Sequence, residues 1–303
     1  MGITANIAFH TRTMWLFAFS DLKTIVIPST IFGIVNALAA SKYRAPLETL
    51  HYAELLKRSP LVLFWVLMHY LPFAINNQRT PLAITEDAIN KPWRPLPSRR
   101  LSPSQAKILM FSFYISAQLC SVFITGGLRQ GVGLIFLGTW YNNFGGADVN
   151  PLIRNAINAL GYICFISGAM EVALGVPLPL STTSVLAKWF GIISGIIMTT
   201  VHTQDMYDQE GDALRGRRTL PLVLGDGPAR WITAVWMVVW GVLCPNFWHT
   251  TLPTRAIGMA LALLVGLRTL VYRSVPSDKV TFLIWNIWVS FVYALPLLQS
   301  QWQ

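Results

Sequence analysis

The sequence predicts an all-α, polytopic membrane protein of nine transmembrane helices, folded as one domain over residues 1–303. Three observations carry this. Hydrophobic side chains make up 53% of the chain and charged ones only 12%, about half the charged share usual in soluble domains. Mean hydropathy is +0.49. Apolar runs of about 20 residues, the length that crosses a bilayer as a helix, recur from end to end. Twelve Trp and sixteen Phe suit a lipid-facing surface with interfacial anchors better than a wetted one.

Taken in order, residues 10–21 read as a short interfacial helix before the first span. The expected span cores are 23–40, 60–77, 107–126, 130–146, 156–175, 186–203, 230–248, 256–273 and 280–298. Small residues such as Gly161, Gly168, Gly191 and Gly195 let these helices approach closely. Cys120, Cys164 and Cys244 lie in or beside apolar runs without metal-ligand spacing and read as small buried side chains.

The formal charge of +10 does not point to nucleic acid. The basic residues form short clusters between spans, with no recognition helix and no aromatic-basic platform. Such clusters set topology or hold anionic ligands. Two long polar connections stand out, 76–107 after the second span and 202–230 after the sixth. With nine spans, both emerge on one face. Sixteen Lys and Arg fall toward that face, against seven toward the other: Lys42, Arg44, Lys57, Arg58, Arg129, Lys188 and Arg255. The positive-inside tendency therefore puts the two loops in the cytosol.

Each loop pairs acids with bases. In the second, Asp208 and Asp212 are four apart and share one helical face. Either this is a solvated acidic loop, or it is a Mg²⁺ site, because Mg²⁺ prefers one or two carboxylates combined with phosphate oxygens. In the first, Glu86 and Asp87 follow Asn76 and Asn77, whose amide oxygens are neutral ligands. Lys91 and Arg94 follow Asp87, and Arg215, Arg217 and Arg218 follow Asp212. Carboxylates for a metal beside cations for anionic oxygens suit a bound diphosphate; interfacial salt bridges are the structural alternative. Aromatic residues near the span ends, among them Phe64, Trp65, Tyr70, Phe73, Trp140, Tyr141, Phe144, Trp189, Trp285 and Trp288, are mostly packing or lipid-facing. A few turned inward make a chamber suited to a carbocation. Together these features imply ionisation of an allylic diphosphate.

At this point a resemblance emerges. Asp87–Ser98 (DAINKPWRPLPS) and Gln204–Asp226 (QDMYDQEGDALRGRRTLPLVLGD) resemble the two aspartate-rich regions of the UbiA superfamily of intramembrane prenyltransferases. The likeness implies a UbiA-like funnel of nine helices that holds an isoprenoid diphosphate and Mg²⁺. It matches Asp87 to the last acid of the first motif, Asp208 and Asp212 to the DxxxD motif, and Arg94 to an Arg-Pro element. The first motif departs from the common form, with Ala83 and Arg79 where earlier acidic or amide ligands are usual. In this it resembles a fungal branch that includes membrane-bound sesquiterpene cyclases.

The expected Mg²⁺ ligands are thus Asp87, Asp208 and Asp212, which the resemblance implies, with Glu86 and Asn77 compensating for the altered first motif. Lys91, Arg94, Arg217 and Arg218 bind the diphosphate, with Asn76, Asn90 and Asp205 as supporting groups. No protein nucleophile is required. The leading expectation is cyclisation of farnesyl diphosphate to a sesquiterpene. The alternative is transfer of the prenyl group to an aromatic or polyketide acceptor. Beyond the substrate the expected partner is the bilayer, which the resemblance implies is that of the endoplasmic reticulum. An ion-coupled transporter fits less well, because midplane charges are scarce; Glu171 is the main one, and it either faces the cavity or pairs with a neighbouring span.

Overall fold

A computed structural model describes residues 3–43, 47, 51–179 and 183–300; Arg44, counted above on the face away from the loops, lies outside them. The described chain is helical. In order it runs α1 (Ile3–Ala18), a 3₁₀ turn (Phe19–Asp21), a π-helical turn (Leu22–Val26), α2 (Ile27–Leu38), α3 (Tyr52–Gln78), α4 (Pro81–Asn90), α5 (Pro103–Cys120), α6 (Leu128–Asn143), α7 (Pro151–Leu174), α8 (Val185–Thr200), α9 (Gln209–Arg215), α10 (Leu220–Leu224), α11 (Asp226–Phe247), α12 (Leu252–Val271) and α13 (Val275–Ala294).

Among the described residues, eight helical stretches are long and apolar enough to cross a membrane. The expected fourth span is α6, which has only 16 residues, below the usual spanning length of about 20. The interfacial helix expected at 10–21 is α1. It runs through the two irregular turns into α2, so Asn6–Leu38 forms one apolar stretch. The two polar connections also differ from simple loops. The first contains α4, and the second contains a 3₁₀ segment, α9 and α10.

Local signals explain where helices begin. Ser102 and Gln105 form a reciprocal capping box at α5. Asn150 caps α7 ahead of Pro151, and Ser184 caps α8. Where α1 gives way to the irregular turns, the freed carbonyl of Phe17 accepts from Gln78 Nε2 at 3.3 Å, which meets the demand for a partner at a helix end.

Helix α7 is the axis of the bundle. It packs against α2, α3, α6 and α8, and 72% of its apolar window is buried, against 22% for the peripheral α5. Helix α13 packs on α2 and closes the ring. Glu171, the intramembrane acid, pairs with Arg129 at 2.7 Å and accepts from Gln130 and from the Gly127 and Leu178 amides. It joins α7 to the start of α6, and this settles its role as a structural clasp.

The contact of α7 with α3 depends on Gly168. A Cβ there would lie 2.0 Å from Trp65 Cη2. Trp65 cannot swing aside easily, since its indole N–H donates to Ser121 Oγ at 3.1 Å and its side chain is buried. Gly168→Ala is therefore expected to cost about 1–3 kcal/mol, the usual range for overpacking. The check is the thermal unfolding midpoint in detergent, with Trp65→Leu restoring part of the loss in the double variant.

Candidate active site

Helix α4 begins at Pro81, capped by Thr80, which accepts from the Ala83 amide at 3.3 Å. The spacing of Ala83, Glu86, Asp87 and Asn90 places all four on one helical face, and the first three are buried. On the facing element, Asp208 precedes α9, whose end is set by Gly216 at φ +79°. Backbone at positive φ favours glycine. The two elements touch. A Cβ at Gly211 would lie 2.3 Å from Asn90 Nδ2, and that amide donates to the Asp208 carbonyl at 3.2 Å.

Six carboxylates meet basic partners here. Lys91 pairs with Asp208 at 2.7 Å, Arg94 with Asp87 at 2.7 Å, and Arg154 with Asp205 at 2.7 Å. Glu86 receives Arg215 at 2.9 Å and Arg217 at 2.7 Å. Arg217 also reaches Asp212 at 3.0 Å, Asp148 at 3.1 Å and Asn77 at 3.5 Å. One guanidinium therefore ties α4 to the α9 segment and to the connection before α7. The convergence expected from loop parity is present, and so are the salt bridges named as the structural alternative.

Burial would raise the Glu86 carboxyl, but Arg217 and Arg215 outweigh it and hold Glu86 below the ordinary carboxylate range. For Asp87 burial wins over Arg94, and its carboxyl sits above that range. Burial and then the neighbouring Asp205 push Asp212 up to about 7. Lys91 is held above the usual lysine range because Asp208 overcomes its burial.

The fit to a cation can be read from the oxygens. Asp205 Oδ2, Asp208 Oδ1 and Asp212 Oδ2 are buried without a hydrogen-bond partner, an arrangement that is costly unless a ligand completes it. By contrast, both oxygens of Glu86 and both of Asp87 accept from guanidinium groups. Among the described residues no three His, Cys, Asp or Glu side chains form a ready-made metal cage. Mg²⁺ does not need one, since it is normally held by one or two carboxylates with substrate phosphates. The residues fit such an ion on the Asp208 side.

Beside these pairs opens a cavity of about 470 Å³, within the span of small-molecule sites. Six cationic side chains line it, Lys23, Lys91, Arg94, Arg154, Arg217 and Lys279, against three carboxylates, Asp21, Glu86 and Asp208. That imbalance suits a multivalent anion. The remaining wall includes Phe73, Leu134, Leu137, Ile157, Tyr162 and Phe165, a chamber apolar enough for a hydrocarbon chain.

Comparison with known proteins agrees with this geometry. The UbiA prenyltransferase family model matches residues 27–288. The chain belongs to the UbiA prenyltransferase family. It is similar to the fumagillin beta-trans-bergamotene synthase of Aspergillus fumigatus, with 32% identity over 237 residues, 75% of this chain and 73% of that one. It is also similar to the somaliensene A/B synthase of Streptomyces somaliensis, with 26% identity covering 93% of this chain and 91% of the other. A solved UbiA homolog from Archaeoglobus fulgidus bound to GPP and Mg²⁺ shares the fold. The TM-score is 0.57 at 12% identity, covering 91% of this chain and 99% of that one.

Within this UbiA fold, Asn77, Glu86, Asn90, Lys91, Arg94, Asp208 and Arg217 line the cavity, while Asp87, Asp205 and Asp212 stand behind the cations they pair with. Two expected residues are elsewhere. Arg218 has an exposed side chain, and its backbone N–H donates to the Asp148 carbonyl at 2.8 Å. Asn76 is absorbed in a latch, donating to Asn143 and accepting from Arg79, both at 2.9 Å. Of the aromatic candidates only Phe73 and Tyr141 reach the cavity; Trp65, Trp189, Trp285 and Trp288 are buried in helix packing, and Phe64, Trp140 and Phe144 are exposed.

The sequence reading missed Arg154, Asp148, Lys23 and Lys279, and did not single out Arg215. A signal existed for two of them. Asp148 and Arg154 follow the fourth expected span, so the parity that joins the two loops also brings this connection to the same face. Arg154 lies in the first turn of α7, where it donates to Asp205 and to the Tyr141 hydroxyl.

Proposed function

We propose that this chain is a Mg²⁺-dependent enzyme that ionises an isoprenoid diphosphate inside the membrane and transfers the prenyl carbon, with farnesyl diphosphate as the substrate. The observation that carries the reading is six cationic side chains gathered at one apolar chamber, beside three partnerless carboxylate oxygens. Lys91, Arg94 and Arg217 hold the diphosphate, Arg217 by its planar fork and Lys91 as a point charge. Asp208 and Asp212, with Asp205, hold the metal; Glu86, Asp87 and Asn77 join only where substrate oxygens displace their guanidinium partners. When bound, Mg²⁺ supplies positive charge to the departing diphosphate. Phe73, Tyr141 and Tyr162 line the chamber, where ring faces favour a cation and water is excluded.

The first fate of the cation is transfer to an aromatic or polyketide acceptor, in keeping with the description of the family as prenyltransferases. The second is cyclisation to a sesquiterpene, supported by the likeness to a bergamotene synthase over three quarters of both chains and by the likeness of the first motif to the fungal cyclase branch. Incubation with farnesyl diphosphate and Mg²⁺ alone, read by gas chromatography and mass spectrometry, separates them. A hydrocarbon formed without acceptor supports cyclisation. Product that appears only with an added acceptor supports transfer. Absence of diphosphate release under both conditions sinks the reading.

In the same reading α6 crosses as a ninth span, and the two acidic segments face the cytosol from the endoplasmic reticulum membrane. The pH response follows from Asp212, which is up to about 7. Protons compete with Mg²⁺ below that value, so the Mg²⁺ concentration for half-maximal turnover is expected to fall as pH rises from 6 to 8. Asp212→Asn should flatten that dependence. Metal-free stability moves the other way. The folded chain keeps a proton on Asp212 that the unfolded chain releases near its ordinary value of 3.8. This contribution is complete below about pH 4 and is lost as pH rises toward 7.

A further inference from the structure

Prenyl transfer and cyclisation share a final need, which the motif residues do not meet. In both, the C–O bond of the isoprenoid diphosphate breaks and both electrons leave with the diphosphate. A π bond then attacks the cation and forms the new bond. The resulting cation becomes neutral by losing one proton, as a C–H or O–H pair of electrons closes onto it. Either the departing diphosphate or a side chain of the chamber accepts that proton.

Three carboxylates line the cavity. Glu86 is bound by two guanidinium groups, and Asp208 is bound by Lys91 and faces the proposed metal. Asp21 differs. Among the described residues it enters no ion pair within 4.0 Å, and its one hydrogen bond is accepted by Oδ2 from the Tyr70 hydroxyl at 2.8 Å. Tyr70 is fully buried in α3, so it fixes the carboxylate and leaves Oδ1 without a protein partner.

Backbone geometry explains how a carboxylate comes to be there. Asp21 ends the 3₁₀ turn at the junction with the π-helical turn Leu22–Val26, and such interruptions of a helix often mark functional positions. All six residues from Phe19 to Thr24 line the cavity, whereas a regular helix would turn about half of them away. Ser20, one residue earlier, accepts from Arg94 Nη2 at 3.1 Å, which sets this turn beside the diphosphate-binding residues. Lys23, Tyr162 and Tyr207 line the same chamber as Asp21.

We propose that Asp21 is the proton acceptor of the reaction, held in place by Tyr70. The inference rests on the proposed ionisation of an isoprenoid diphosphate, and it applies to either fate of the cation. The proton moves to Asp21 Oδ1 as the product becomes neutral and passes to water when the product leaves. No oxidant or reductant is involved.

The test uses the full chain in lipid nanodiscs with farnesyl diphosphate and Mg²⁺, with and without a phenolic acceptor. Diphosphate release and organic products are counted separately. Asp21→Asn keeps the shape and the Tyr70 contact but cannot take the proton. The expected result is that the share of released diphosphate matched by deprotonated product falls at least tenfold, with farnesol from water capture in its place. Asp21→Glu should recover part of that share. Tyr70→Phe should lower it less than Asp21→Asn does. An unchanged share in Asp21→Asn overturns the proposal and leaves the departing diphosphate as the base. A parallel fall in diphosphate release and product, with the share constant, also overturns it and makes Asp21 structural. No diphosphate release by the unaltered chain defeats the functional reading itself, and this proposal with it.

Discussion

Replacement of Arg217 by methionine is expected to lower kcat/KM for the isoprenoid diphosphate by about two to three orders of magnitude, the usual cost of losing one preorganised charge at a reacting centre. It should also destabilise the fold by about 3–5 kcal/mol, because removing one partner of a buried ion pair strands the others. Arg217 is placed to do both. Its side chain is 5% exposed and reaches Glu86 and Asp212, at 6% and 1% exposed, together with the half-buried Asp148. The two effects separate by design. Glu86→Gln combined with Arg217→Met removes one stranded carboxylate and should recover part of the thermal stability without recovering turnover. Arg217→Lys should fall between, since an ammonium ion replaces a planar fork with a point charge. Wild-type kcat/KM in the methionine variant would remove Arg217 from the diphosphate site.

The second large effect concerns the metal. Asp208→Asn with Asp212→Asn keeps side-chain volume while removing the charge that two of the three partnerless oxygens carry. Turnover is expected to fall by about 10³ or more, since both the metal and the geometry it sets are lost. A binding readout accompanies this. Mg²⁺ at 100 times its dissociation constant should stabilise the unaltered chain by about 2.7 kcal/mol, and that gain should vanish in the double variant. Lys91 complicates a single Asp208→Asn change, because its ammonium ion loses the partner that sits 2.7 Å away. Lys91→Met in that background separates charge stranding from metal loss. Full Mg²⁺-dependent product formation by a well-folded double variant would end the metal assignment.

Much of this site was legible in one dimension because membrane folding follows simple counting. A bilayer imposes helices about 20 residues long, and an even number of crossings between two connections returns them to one face. Counted on nine spans, parity puts Glu86 and Asp87 on the side of Asp208 and Asp212, and in the fold Lys91 does meet Asp208. Pattern reading failed where a residue's neighbours decide its direction. Arg217 and Arg218 are adjacent and chemically identical, yet one is the hub of the site and the other is exposed. The turn at Gly216 sets that choice, and nothing in the charge pattern announces it. Asn76 and Asn77 diverge in the same way at the end of α3, one into a latch and the other toward Arg217.

The sequence by itself determined an all-α membrane protein with two acid-base segments on one face, because hydropathy, span length and parity act along the chain and need no knowledge of packing. The tertiary structure alone decided which carboxylates keep partnerless oxygens, that Arg154 and Arg217 compensate the others, and that a broken helix turns Asp21 into the chamber. Those outcomes depend on desolvation and on contacts between residues more than 100 positions apart, such as Glu86 with Arg217. Burial and charge pairing act over a few ångströms in space, and only the folded chain sets which groups lie within that range.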